Sequence, residues 1–350
     1  MRTPLIIAAV VLAGAIAAIP ATAIPADADA VTEAPHIAVL EGSCGDATHA
    51  YFHFYPVGFN QPYSALRYTL QSSDTRVGDP ALITLFNGGD SDESAMAVTV
   101  RADARGAAAL TLTVSDGTHQ AALPIGLRVG DDSMTGTDGS DIIIGGNGPN
   151  TLRGLSGPDV LCGNGAPDTI DGGDGNDDIY GGPGDDHLIG GNGTDEIYGE
   201  DGDDLVDGPS DLGDAIRPGA GSNTVNAGDG NDFIDTYGST GRQRIRSGGG
   251  QDSINLGGLN SIAYGGAGND TLSAYCRNCT IDGGDGNDEL VANGQHITMR
   301  GGAGDDQFTN WPHPQPVPDT ATGGPGADRF QLQPVDHITD FNPTEGDSRP

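Results

Sequence analysis

The spacing of hydrophobic residues changes twice along the chain. Residues 5–19 are apolar almost without a break, residues 37–129 carry short apolar runs, and beyond about residue 130 one aliphatic side chain returns at every ninth place. In the middle region, runs at 51–55, 81–86, 97–101, 109–114 and 122–129 alternate with Gly, Asp, Asn and Pro clusters. That rhythm predicts an antiparallel β-sandwich of about 100 residues over 37–129. Residues 110–129 read as its last hairpin, turning at Ser115-Asp116-Gly117-Thr118.

The ninefold pattern is clearest over residues 172–207, which read GGDGNDDIY, GGPGDDHLI, GGNGTDEIY and GEDGDDLVD. Each unit opens on Gly and, with few exceptions across the region, has Gly at the fourth place, Asp at the sixth and an aliphatic residue at the eighth. Rows start at 136, 145, 154, 163, 172, 181, 190 and 199 without slippage. A ten-residue row (208–217), two regular rows, an eleven-residue row (236–246) and seven regular rows from 247 follow. A Pro-rich insert at 310–322 precedes a last row at 323. A period this regular predicts a solenoid. Glycine-rich turns occupy places one to six and a three-residue strand places seven to nine, with the eighth side chain inward. That column runs from Ile143 and Leu152 through Ile179 and Ile197 to Met299 and Phe308, with Ala263 its weakest member. Two rows make one circuit, so the strands form two parallel sheets, neighbours ~4.8 Å apart, around a thin core.

Such a core is insufficient alone. Each row buries about one aliphatic side chain, worth ~1.5–3 kcal/mol, while each ordered backbone residue costs ~1–2 kcal/mol. Stacking also sets sixth-place carboxylates one strand spacing apart, where like charges repel by roughly 3 kcal/mol at an effective dielectric of ~20. A hard, oxygen-seeking dication between turns reverses that sign. Ca²⁺ suits carboxylates and freed carbonyls better than Mg²⁺, which demands a tighter octahedron, and its binding energy becomes folding energy. The GGxGxDxUx pattern resembles the RTX, or hemolysin-type, calcium-binding family. The resemblance covers residues 130–341 and implies a parallel β-roll with Ca²⁺ between adjacent turns; upstream, the hairpin at 110–129 loosely resembles the closing strands of Ig-like or cadherin-like modules.

Because alternate rows turn on opposite edges, each site can be assigned. Edge one carries Asp141, Asp159, Asp177 and Asp195, then Asp232, Asp252, Asp270, Asp288, Asp306 and Asp328, with Asp214 a substitute in the irregular row. Edge two carries Asn150, Asp168, Asp186, Asp204 and Asn223, then Ser261, Cys279 and Ile297. Calcium is therefore expected along all of edge one and only in the first half of edge two, about ten ions in total. Beyond that half, a Cys276–Cys279 pair is one replacement for the ion; two unpaired buried thiols are the other.

Charge and composition narrow the partners. The formal charge is -35, with no Lys. Residues 131–340 hold 36 Asp and Glu against 8 Arg, a net -28. Nucleic acid and anionic membrane would be repelled. Residues 1–26 read as a secretory signal peptide: Arg2, a short apolar run, and a small-x-small site at Ala21-Thr22-Ala23. Residues 27–36 read as a linker and 342–350 as a tail. RTX proteins of type I export carry a C-terminal signal instead, so this chain departs from that route. An exported chain permits disulfides, but whether Cys44 pairs with Cys162 is left open. No HExxH helix or GxSxG elbow occurs. The expectation is a secreted, non-enzymatic calcium-binding β-roll. The alternatives are an adhesin or matrix protein that binds a cell-surface partner through 37–129, with aromatics such as Phe59 and Tyr63 or the Trp311 loop as contacts, and an extracellular hydrolase without a recognised motif.

Overall fold

A computed structural model describes residues 36–46, 49–57, 66–87, 94–99, 104–130, 133–210, 212–311 and 317–349. The segment read as a signal peptide, all of the linker but His36, Phe59, Tyr63 and residues 312–316 of the Pro-rich insert lie outside them. Residues 35–350 form one unit. Its elements are almost entirely strands: β1 (His36–Asp46), β2 (His49–Val57), β3 (Arg67–Ser72), β4 (Ile83–Asn87), β5 (Ser94–Thr99), β6 (Gly106–Ser115), β7 (Gln120–Val129), β8 (Ser133–Thr135), β9 (Asp141–Ile144), β10 (Thr151–Ser156), β11 (Val160–Cys162), and then one strand per row to His337–Ile338.

From β8 onward the chain winds as the ninefold period predicts. Odd and even rows separate into two parallel sheets. The register advances by one circuit per strand, as in Leu161↔Ile179 on one sheet and Ile170↔Leu188 on the other. One sheet has twelve strands. The other has fourteen, eleven from the roll plus β7, β6 and β3. The eighth-place column is the core. Ile143, Leu152, Leu161, Ile170, Ile179 and their successors to Phe308 and Phe330 are fully buried in one cluster, with Ile216 and Ile245 filling the irregular rows. The rings of Phe308 and Phe330 stack at 4.7 Å and thicken the far end.

The hairpin predicted at 110–129 is present. Strands β6 and β7 pair antiparallel from Ser115↔Gln120 outward, and Asp116 holds the turn by accepting from the N–H groups of Thr118 and His119. The expected boundary at 129/130 is crossed by a continuous sheet. Strand β7 pairs parallel with β9, Leu127 facing Ile142, so the sandwich's β3-β6-β7 sheet is the first part of the roll's own sheet. The opposing sheet, β1-β2-β5-β4, packs over it and extends onto the roll, with β1 lying on β7, β11 and the strand Asp178–Tyr180. Phe54, Leu110, Leu112 and Ile125 share a core with Ile142, Ile144, Val160 and Cys162, which lie on the outside of the roll.

The reason is visible in the rows themselves. Asp141-Ile142-Ile143-Ile144 and Asp159-Val160-Leu161-Cys162 are apolar at places seven and nine as well as eight, so both faces of these strands need covering. Cys44 of β1 and Cys162 of β11 form a disulfide across this interface. By loop-closure entropy, a crosslink spanning 118 residues contributes roughly 5 kcal/mol. Cys276 and Cys279 also pair. Among the described residues, no helix is long and apolar enough to cross a membrane.

Candidate metal centre

Each sixth-place residue stands immediately before a strand, except Asp141, which begins one, and stacking the strands brings the sixth places into two columns. Edge one is unbroken. The backbone N–H of each acid donates to the Oδ1 of the acid one circuit later: Asp141 to Asp159 (2.7 Å), Asp159 to Asp177 (2.9 Å), Asp177 to Asp195 (2.9 Å). The irregular row does not interrupt it, for Asp195 donates to Asp214 and Asp214 to Asp232. It continues through Asp252, Asp270, Asp288 and Asp306 to Asp328. On edge two the same bond links Asn150 to Asp168, Asp168 to Asp186 and Asp186 to Asp204.

One carboxylate oxygen is thereby used, while the other is orphaned. Asp159, Asp168, Asp177, Asp186, Asp195, Asp204, Asp232, Asp252, Asp270, Asp288, Asp306 and Asp328 each bury an Oδ2 with no hydrogen-bond partner, and Asp141 buries such an Oδ1. All thirteen acids predicted to hold metal share this feature, and their residues are at most 3% exposed. The space these oxygens face is made by glycine. A side chain on Gly172 would overlap Asp177 Oδ2 and the carbonyl oxygen of Gly190, and Gly163, Gly181, Gly265, Gly283 and Gly301 repeat the arrangement. Carboxylate and carbonyl oxygens thus converge, and the orphaned carboxylate oxygen has no donor, an arrangement a buried polar group tolerates only with a compensating positive charge.

The acidities respond to this crowding. Burial, reinforced by the charges of Asp177 and Asp141, pushes Asp159 up to about 9. Burial likewise raises Asp177, Asp186, Asp232 and Asp306 to about 7, and Asp168, Asp195, Asp204 and Asp270 to about 6, with the backbone N–H bond opposing. Carboxyls raised above their unfolded value of 3.8 bind more protons folded than unfolded between that value and about 7, so stability falls as pH rises through this window. Metal-free protein is therefore expected to be most stable near pH 4 and to lose stability by pH 7. Thermal unfolding in chelator from pH 3.5 to 8 checks this, and a Tm that rises with pH would contradict it.

The donors are hard oxygens, and they fit Ca²⁺. Among the described residues no three His, Cys, Asp or Glu side chains gather at one point, so a site here combines carboxylates of successive turns with backbone carbonyls, a set that a flexible oxygen-seeking ion accepts. The disulfide of Cys276 and Cys279 leaves no thiolate for a zinc site.

Edge two changes chemistry where its acids end. Cys279 and Ile297 occupy sixth places, and Leu256, Ala274 and Ala292 replace the first glycine of their rows. All five are buried in the roll's core cluster, so apolar packing and a disulfide fill the space that oxygens line elsewhere. Beyond the insert, the sixth place is taken up again by Asp319, which accepts from the N–H of Ile297 (2.8 Å). The 22-residue step hides this register in the sequence; the signal is Asp319 immediately before the short strand Thr320–Thr322. Both columns then close on saturated acids. Asp336 accepts from Asp319 N, Gln333 N and Asn310 Nδ2, and Asp347 accepts from Asp328 N and Asn342 N.

A second ladder escaped the sequence reading. Fifth-place side chains of earlier turns accept from the fifth-place N–H of the next, as Asn269 does from Asn287 and Asn287 from Asp305 (2.8 Å each). It runs against the sixth-place ladder, so side-chain bonds cross these gaps in both directions.

A parallel β-solenoid whose turns stack buried, half-satisfied carboxylates against backbone carbonyls has the donor set of a metal-binding repeat protein. The family model for the RTX calcium-binding nonapeptide repeat matches residues 129–161, 153–188, 163–197, 180–208, 213–236, 237–272 and 280–296. Over these residues the chain carries RTX nonapeptide repeats of the calcium-binding kind. No curated protein matches it.

Proposed function

We propose that this is a secreted calcium-binding protein whose roll folds as Ca²⁺ enters between its stacked turns, and that it has no catalytic activity of its own. The observation that carries the reading is the column of buried orphaned oxygens on the thirteen acids of the two edges. Bound Ca²⁺ would supply the positive charge these oxygens lack. The chain's residues position it: the N–H ladder fixes Oδ1 and so aims Oδ2 on every acid but Asp141, whose Oδ2 is held by Thr137 and whose Oδ1 is left free, while glycines clear the space beside it. Export is supported by the signal-like residues 1–26 and by two disulfides, which belong to oxidising compartments. In the cytosol, where free Ca²⁺ is scarce, the roll would stay open; outside, at the 10⁻⁴–10⁻³ M range of extracellular modules, it would close.

Ions are expected wherever two successive acids on one edge both present an orphaned oxygen. That gives about ten, eight on edge one and two on edge two, with the irregular Asp214 row excluded. Equilibrium dialysis with elemental analysis at saturating Ca²⁺ measures this, and a value near three would overturn the assignment. The adhesin reading keeps one specific support, the exposed Trp311 beside the insert. Binding of the whole protein to glycans or cells, lost in Trp311→Ala, would favour it.

A further inference from the structure

We infer that Asn223 ends the edge-two calcium array by putting an amide in the place of an ion. This rests on the calcium reading above. Asn223 is fully buried at a sixth place, and it continues the ladder: its Oδ1 accepts from Asp204 N at 2.8 Å. That bond fixes which way the carboxamide faces. Its Nδ2 is left pointing into its own turn, where it lies 3.3, 3.3 and 3.5 Å from the carbonyl oxygens of Pro218, Gly219 and Ala220. The next carbonyl, Gly221, accepts from Gln243 Nε2 at 2.7 Å. The two hydrogens of Asn223 Nδ2 are thus shared among three successive turn carbonyls, and Gln243 serves the fourth. Asn223 leaves no buried polar atom without a partner, whereas Asp168, Asp186 and Asp204 on the same edge each leave one.

An amide N–H carries only partial positive charge, but it is covalently delivered and needs no ion. It offsets the carbonyl dipoles and adds no carboxylate, so the gap between the turns of Asp204 and Asn223 is flanked by one carboxylate, that of Asp204, where the two gaps before it are flanked by two, and it falls short of the charge for Ca²⁺. Ser247 makes a partial version on edge one, its hydroxyl donating to Gly265 O at 2.8 Å. Asp252 in that row keeps an orphaned oxygen, so this gap stays in the calcium count. Edge two thus holds two ions, shared among Asp168, Asp186 and Asp204, and Asn223 is the residue that sets the limit.

The test is bound Ca²⁺ per chain, by equilibrium dialysis of the full-length protein at saturating Ca²⁺. Asn223→Asp is expected to gain one ion, Asp204→Asn to lose one, and Asp186→Asn, which serves both gaps, to lose two. An unchanged count in a folded Asn223→Asp protein, alongside the two-ion loss in Asp186→Asn, overturns the inference and leaves the calcium reading intact. An unchanged count in Asp186→Asn overturns the calcium reading itself. Should Asn223→Asp not fold, thermal unfolding in chelator decides against Asp204→Ser, whose hydroxyl keeps the ladder acceptor as Ser261 does for Gln243 N: Asp204→Asn melts above Asp204→Ser if an amide substitutes for the ion, and the two melt together if it does not.

Discussion

Asp288→Asn is expected to change the sign of its effect on stability with the metal present. Asp288 lies at the middle of a run of edge-one acids, between Asp270 and Asp306. Its carboxylate serves two gaps, so at saturating Ca²⁺ the substitution removes two ions. An ion held at about 100 times its Kd contributes about 2.7 kcal/mol, so the loss is roughly 5 kcal/mol. In chelator at pH 7 the same change removes a buried charge that its neighbours repel, and burial already raises the Asp288 pKa. There the variant is expected to melt at or above the parent. Asp288→Ala separates the two roles. It also deletes the oxygen that accepts from Asp270 N at 2.8 Å, leaving a buried N–H unpaired at a further cost of about 1–3 kcal/mol in either condition. Melting curves of the three proteins, with and without Ca²⁺, give the comparison. Equal shifts for Asp288→Asn in both conditions would mean that the acid is structural rather than a metal ligand.

Gly268→Ala is the second large effect expected. Gly268 is the fourth residue of its row, with φ of +135°. That value lies outside the left-handed basin near +50 to +70° that Asn and occasional other residues enter. Ala166, at φ of +73°, shows that a fourth place can take a methyl group when the turn relaxes toward that basin. At Gly268 the methyl would overlap the carbonyl oxygen of Gly250 in the preceding turn. Backbone strain of this kind costs about 1–3 kcal/mol before any overlap is relieved. The turns would move apart, spoiling the carbonyl geometry of the neighbouring gaps. A Tm at saturating Ca²⁺ lower by roughly 6 °C or more is expected from scanning calorimetry. An unchanged Tm would show that the turn spacing is not fixed by glycine.

Much of this molecule is written in its period. Once the aliphatic residue at every eighth place is seen, the two sheets, the inward column and the division of Asp141 to Asp328 between two edges follow from geometry. The fading of edge two was equally legible, because Cys279 and Ile297 stand where Asp is required. What the period hid has physical causes. Asp319 is displaced by an insert that changes the count without changing the circuit. The union of sandwich and roll depends on Ile142, Ile144, Val160 and Cys162, which look like ordinary strand residues until three apolar places in a row are recognised as a strand covered on both faces. The Cys44–Cys162 pairing spans that union and could not precede it. The role of Asn223 depends on which end of its amide faces the turn, and the ladder bond from Asp204 decides that.

The central claim is that calcium is the missing charge that lets the roll close. The most direct measurement is a Ca²⁺ titration of the chelator-stripped, disulfide-intact protein at pH 7, followed by far-ultraviolet circular dichroism and calorimetry. A cooperative gain of β signal with a midpoint in the 10⁻⁴–10⁻³ M range, and a Tm that climbs with Ca²⁺ concentration, is the predicted result. A full β signal and an unchanged Tm in chelator and in millimolar Ca²⁺ alike would contradict it.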